Sequence, residues 1–402
     1  MSITEMTREE LLNPIEEHTA PVLSGTELQD LLAKDPREFF STICKIAVDQ
    51  RASDIFWKTG TPPCFRLSGK ITQINMEPLT PLQLEEIFLY GLMTEEQREK
   101  FKKRPEMDTA MEIPGVIRFR VNIYRQRGAI ASVMRLIPLD IPSLEELGLP
   151  MVLAKLVGYK QGMTLVTGPT GSGKSTTLAA MLDCLNTNRR TNIVSIEDPI
   201  EFVHRDKLSI MSQREVGVDT NNFNDSLRAV MRQAPDVIFI GEMRDVETVS
   251  VAMTAAETGH LVFSTIHTNS ASETIERIVN MFPPHEKMQI CLRLSTTLLG
   301  VLSQKLVPTI DGKGRVCAIE IMINTPTIAK YIEEGRNGSV PQAITEGGYW
   351  GMQTMNMSLL GHYRANKINE ELAISYAGNQ TEMRQMIRRL AQANITTEAK
   401  SV

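Results

Sequence analysis

GMTLVTGPTGSGKST, residues Gly162–Thr176, decides how the rest of the chain is read. Gly162–Thr167, mostly apolar and without a charge, reads as a strand buried on both faces. Gly168, Pro169, Thr170, Gly171, Ser172, Gly173, Lys174, Ser175 and Thr176 follow at once and match GxxxxGK[ST] in full. The spacing has a physical reason. Glycines at 168, 171 and 173 let the backbone wrap tightly and turn its N–H groups toward phosphate oxygens. A helix starting near Lys174 adds the positive end of its dipole. Lys174 then places an ammonium on the β and γ phosphates, and the Ser175 hydroxyl ligates Mg²⁺. The expected ligands are therefore ATP and Mg²⁺. Leu178, Met181, Leu182 and Leu185 give the following helix an apolar face, so strand, turn and helix stand in the required order.

Outward from this loop, Ile193–Ile196, Val237–Ile240 and Leu261–Thr265 read as further buried strands separated by helical patterns. That alternation predicts an α/β fold, a parallel sheet with helices on both faces. From Pro283 to the end the pattern reads as mostly helical. Upstream, Pro138–Pro150 (PLDIPSLEELGLP) carries three prolines and reads as a linker. Before it lie strand patterns at 54–58, 64–67, 71–74, 118–124 and 129–136, with helical pieces at 39–47 and 82–92. Without βαβ regularity these predict a small α+β domain. The expected organisation is an N-terminal extension (1–37), an α+β domain (38–140), a linker (141–150), an ATPase domain with helical tail (151–375) and a C-terminal tail (376–402).

The chain has 402 residues, enough for two domains plus extra segments. No stretch approaches the roughly 18 uninterrupted apolar residues of a membrane helix, and the acidic N-terminus lacks a signal peptide's basic and apolar parts. A cytoplasmic location is the expectation. Five cysteines lie far apart with no CxxC pair, which speaks against a disulfide framework or a structural zinc site. A formal charge of −5 speaks against nucleic acid as a partner.

Hydrolysis needs one carboxylate to orient water and help to hold the hydrated metal. Carboxylates at strand ends are the candidates, because ligands of open α/β sheets bind there. SIEDPIEF supplies Glu197, Asp198 and Glu201; PDVIFIGEMRD supplies Glu242, with Gly241 standing where a metal-side aspartate is usual. Glu242 is the candidate for water and Glu201 for metal help, while Glu197 and Asp198 read as braces of the turn at Pro199. His260 and His267 bracket the strand at 261–265, where a histidine could sense the γ-phosphate. His18, His204, His285 and His362 read as surface residues. Arg118, Arg120, Arg125, Arg127 and Arg135 are solvated strand-face charges, a nucleic-acid patch, or groups of which one or two reach a γ-phosphate, and sequence alone does not separate these options.

With these segments in hand, the chain resembles the secretion-superfamily ATPases, specifically the PilT/PilU type of pilus retraction ATPases. The resemblance runs from about Phe39 to about Ile368. It is carried by ASDIF (52–56), RFRVN (118–122), GPTGSGKSTTLAAM (168–181), IEDPIEFVH (196–204), QREVG (213–217), GEMRD (241–245), AETGHLVFSTIHTNSA (256–271) and GMQT (351–354). It implies a PAS-like N-terminal domain, a RecA-like C-terminal domain and a homohexameric ring on the cytoplasmic side of the inner membrane. The implied partners are a membrane platform protein of the pilus and a second retraction ATPase. Glu201 becomes the Asp-box carboxylate, Glu242 the Walker B glutamate, and His260 and His267 the His box. Arg120 and Arg135 match the family's N-terminal arginines that reach nucleotide. TIAKYI (327–332) stands where PilT-type proteins carry an AIRNLI-like motif, and with YRQRG (124–128) and the N-terminal extension it looks more like PilU, the accessory motor. Assembly and type II secretion relatives usually carry paired CxxC motifs. The expected activity is thus ATP hydrolysis coupled to pilus retraction; the alternatives are a regulatory ring subunit and an extension or secretion ATPase.

Overall fold

The computed structural model describes residues 23–67, 69–113, 117–137, 140–312 and 314–398, with side chains described through residue 392. The chain divides into two compact units, Met1–Leu139 and Asp140–Val402, and each is taken by itself.

In the first unit, Ser24 and Glu27 form a capping box that starts α1 (Gly25–Lys34). Asp35 caps α2 (Pro36–Asp49), with Pro36 at the first helical position where its missing N–H costs nothing. The strands β1 (Asp54–Lys58), β2 (Cys64–Leu67), β3 (Lys70–Gln73), β4 (Glu106–Ile113), β5 (Ile117–Gln126) and β6 (Ala129–Ile137) form one antiparallel sheet in the order β3-β2-β1-β6-β5-β4. Two short α-helices, α3 (Pro81–Glu85) and α4 (Glu95–Lys103), lie between β3 and β4, with a π-helical segment, Glu86–Leu92, continuing from α3. Trp57 anchors the core, stacked on Phe40 at 5.4 Å and edge-on to Phe39 and Phe88. The α1 residues Leu28 and Leu32 are buried in this core, so part of the 1–37 stretch packs into the unit; residues 1–22 and His18 lie outside the described residues. β4 was not anticipated. EMDTAMEI is only weakly alternating, and no residue of β4 is fully buried.

The second unit contains α5 (Val152–Val157), β7 (Gly162–Thr167), α6 (Lys174–Asn188), β8 (Asn192–Glu197), β9 (Ile210–Glu215), α7 (Phe223–Val230), β10 (Val237–Ile240), α8 (Val246–Glu257), β11 (Leu261–Ile266), α9 (Ala271–Met281), α10 (Lys287–Thr297), β12 (Leu298–Pro308) and β13 (Arg315–Ile323). The C-terminal helices α11 (Pro326–Glu333), α12 (Val340–Glu346), α13 (Met355–Arg364), α14 (Glu370–Tyr376) and α15 (Gln380–Glu398) follow. The strand order is β13-β12-β7-β11-β10-β8-β9, parallel from β12 to β9 with β13 antiparallel at the edge. Both faces are covered. Met163, Leu165, Val194, Ile196, Ile238 and Ile240 point into a cluster with α7 to α11. Val166, Ile193, Val237, Phe239 and Phe263 point into another with α5 and α6. Burial on both sides is why these strands read as continuous apolar runs. The chain is therefore α/β with a RecA-like sheet that centres the strand leading into the glycine-rich loop.

The expectation of a mostly helical tail from Pro283 is corrected by β12 and β13, which complete this sheet. LLGVLSQKLVP follows α10 without a turn residue. Its partner is β7, more than a hundred residues upstream (Ser303 opposite Thr167), so local periodicity did not reveal it. Among the described residues, no helix is long and apolar enough to cross a membrane.

Candidate active site

Strand register brings the functional groups to one edge of the sheet. Thr167 pairs with Ile266, Ile240 with Ile196, and Ile240 with Ser264. The residues just beyond these positions are the glycine-rich loop, His267, Glu197–Glu201 and Gly241–Arg244, all at the carboxyl ends of parallel strands. They line a cleft of about 540 Å³ that includes Thr170, Gly171, Gly173, Lys174, Ser175 and Thr176 on one side and Glu201, Glu242, Arg244 and His267 on the other.

The loop geometry follows from its glycines. Gly168 (φ +144°), Gly171 (φ +78°) and Gly173 (φ +90°) take conformations that side chains disfavour. Lys174 donates to the carbonyls of Gly168 and Pro169, at 3.0 Å each. Desolvation lowers its pKa, opposed by the nearby charges of Glu242 and Glu201. Ser172 is buried and Ser175 faces the cleft.

Glu242 is mostly buried, and its neighbouring backbone is pinned on both sides. The Gly241 N–H donates to Ile196 O at 2.8 Å, and the Met243 N–H donates to Thr265 O at 3.0 Å. A side chain at 241 would press on the Ile196 carbonyl and Glu197 Cα, at 3.2 and 3.4 Å from its Cβ. An aspartate there would need those neighbours to give by a few tenths of an ångström. The Glu242 carboxylate meets Arg244 at 2.7 Å and His267 Nε2 at 3.3 Å. Desolvation pushes its pKa up, but the Arg244 hydrogen bond and the charges of Arg244, His267 and Lys174 outweigh that and leave it lowered.

Glu197 is a brace. It accepts from Ser195 Oγ at 2.6 Å and Gln213 Nε2 at 3.0 Å. Burial pushes its carboxyl up to about 7 against those bonds. Glu201, two residues beyond the cis Asp198–Pro199 peptide, is exposed at the cleft wall.

The other histidines and the two arginines complete the account. His260 lies at the opposite end of β11, its carbonyl accepting from the Gly162 N–H and its Nδ1 2.9 Å from Ala255 O. A six-residue strand separates its ends by about 20 Å, so the fold does not bring His260 to the loop with His267. His204, expected at the surface, lines the cleft instead, and burial pushes its imidazole down to about 4. His362 is partly buried, with Nε2 2.9 Å from Cys317 O, and His285 is exposed. Arg120 and Arg135 belong to the other unit, directly opposite each other on β5 and β6. Arg135 Nε is bonded to Asp54 at 3.0 Å.

Sequence reasoning missed Arg244 and Arg315, both on the cleft wall. Arg244 carried a signal, since i and i+2 share a side in extended chain. Arg315 opens a strand that read as helical tail.

The donor set suits a hard dication. Ser175, Glu201 and Glu242 offer oxygen ligands around one cleft. Among the described residues no cluster of three His, Cys, Asp or Glu could hold a metal ion on its own.

A family model described as "Type II/IV secretion system protein" matches residues 36–400. The chain is 47% identical over 324 residues to the type IV pilus retractation ATPase PilT of Pseudomonas aeruginosa, covering 81% of this chain and 94% of that one. It is 41% identical over 349 residues to the type IV pilus ATPase PilU of the same organism, covering 87% and 91%. Identity is greater with PilT and the aligned stretch longer with PilU, so these figures do not divide the two types. A crystal structure of the pilus retraction motor PilT with bound ADP superposes with a TM-score of 0.80 at 44% identity, over 85% of this chain and 98% of that chain.

Proposed function

The chain belongs to the type II/IV secretion system protein family, among the relatives of the pilus ATPases PilT and PilU, and we propose that it is an ATPase driving pilus retraction. The observation that carries this reading is the convergence of Lys174, Ser175, Glu201 and Glu242 on one cleft at the carboxyl edge of a parallel sheet. Backbone N–H groups of the loop and Lys174 hold the phosphates. Ser175 and Glu201 would hold Mg²⁺, which would supply charge neutralisation to the phosphates. Glu242 orients a water whose oxygen bonds to the γ phosphorus as the bridging P–O bond breaks toward ADP. His267 holds the second oxygen of Glu242 and so fixes its direction.

The ring assembly, a homohexamer at the cytoplasmic face of the inner membrane acting on a platform protein, rests on the family resemblance. So do the roles of Arg120 and Arg135 toward nucleotide. Whether the motor is self-sufficient or PilU-like turns on one comparison: twitching of cells carrying Lys174→Ala with and without a partner retraction ATPase. The enzymatic reading is tested on purified protein. Lys174→Ala and Glu242→Gln should each lower phosphate release by at least about 100-fold. Wild-type rates in both would end the assignment. Mass measurement with and without ATP should give six copies.

A further inference from the structure

Two cations that act on Glu242, Lys174 and Arg244, are both parked on protein acceptors. Lys174 sits on the carbonyls of Gly168 and Pro169. Arg244 sits on Glu242 at 2.7 Å, the carboxylate that the proposed reaction needs for water. A carboxylate held in a short ion pair is a poor acceptor for a water proton, because the guanidinium stabilises its charged form. The pair is also lopsided. The Arg244 side chain is 63% exposed, whereas that of Glu242 is 19% exposed and rooted in pinned backbone. The arginine is the partner free to move.

We propose that Arg244 is a further catalytic residue, exchanging Glu242 for the γ-phosphate of a bound nucleoside triphosphate. This rests on the reading of the cleft as an ATPase site. A terminal phosphate brings more negative charge than one carboxylate and matches the planar guanidinium with paired oxygens. Once Arg244 leaves, one Glu242 oxygen opens to water while His267 stays on the other, 3.3 Å away. The guanidinium then offsets charge on the equatorial oxygens as the phosphoryl group transfers. With the γ-phosphate gone, Arg244 returns to Glu242. The exchange therefore couples the presence of a triphosphate to release of the water-orienting group. The other charged groups facing this exchange are Asp198, which attracts Arg244 electrostatically, and Lys174, Glu201 and Arg315 on the cleft walls.

The test compares a non-hydrolysable β,γ-imido triphosphate with ADP, both with Mg²⁺, on the full chain. For Arg244→Ala, triphosphate affinity should fall about tenfold while ADP affinity stays within about twofold, and kcat should fall about 100-fold. Arg244→Lys, which keeps the charge without the fork, should recover part of the kcat. Glu242→Gln strips Arg244 of its partner, so it should tighten triphosphate binding, and that gain should vanish in the double variant with Arg244→Ala. Equal weakening of ADP and triphosphate would mark a merely structural residue and overturn the proposal. So would a kcat within about threefold of wild type, since one charge-stabilising donor is worth far more. A wild-type chain that binds neither nucleotide would sink the ATPase reading itself and this exchange with it.

Discussion

Ser195 Oγ donates a 2.6 Å hydrogen bond to the buried carboxyl of Glu197, yet burial outweighs the bond and raises that carboxyl from 4.5 to about 7. The folded chain therefore binds this proton more tightly than the unfolded chain. The contribution to stability is fully present below pH 4.5 and is lost as pH rises through about 7. Its size is at most about 3 kcal/mol. Urea unfolding at pH 5 and pH 8 should show this loss in the wild type and a smaller one in Glu197→Gln. Equal losses would contradict it. His204 works the other way. Its burial lowers the imidazole from 6.5 to about 4, so its contribution is present above 6.5 and lost as pH falls toward 4.

Two glycines of the phosphate loop should respond differently to alanine. At Gly168, a Cβ would fall inside van der Waals contact of the Gln304 carbonyl and the Ser172 side chain, with φ at +144°. At Gly171, φ is +78° and nothing lies within 4 Å of the added atom. Gly168→Ala should cost roughly 3 kcal/mol or more from strain and overpacking together, and Gly171→Ala roughly 1 kcal/mol from the backbone alone. Thermal unfolding of both variants settles the order.

The sequence made the site more legible than the sheet that carries it. Glu242, Glu201 and His267 stand at the ends of apolar runs whose burial on both faces leaves a plain signal, and a strand end is where such a sheet binds ligands. His260 sits just as close to one of those runs, but at its other end, and proximity in sequence did not tell which end faced the loop. β9 and β13 are edge strands with mixed burial, and β12 follows a helix without punctuation. Their pairing is long-range, so nothing local announces it. Arg244 stands two residues past Glu242, a spacing that hints at a shared side, but the ion pair itself is a property of three-dimensional placement.

α1 belongs to the core of the first unit. Leu28 and Leu32 are each 2% exposed and join the cluster around Trp57 and Phe40. Leu28→Ala should destabilise by about 2–5 kcal/mol, as buried leucine deletions do. A loss below about 0.5 kcal/mol, typical of surface positions, would show that the helix is dispensable.

Asp54 joins two of the sheet's arginines, Arg66 and Arg135. Its buried carboxylate accepts from Ser53 Oγ at 2.8 Å and from Arg66 Nε and Arg135 Nε at 3.0 Å. Arg120 and Arg135 face each other across β5 and β6, and like charges so placed repel unless one is neutralised, as Asp54 does for Arg135. Asp54→Asn keeps the shape and removes the anion, so it should cost about 1–3 kcal/mol. Arg135→Met should cost less, because Asp54 keeps Arg66 and Ser53. In the double variant the repulsion disappears along with Arg135, so its cost should fall short of the sum of the singles by about 1 kcal/mol. Denaturant unfolding of the four proteins measures that coupling. Strict additivity would mean that Asp54 is held by Arg66 alone and that the Arg120–Arg135 repulsion is screened by water.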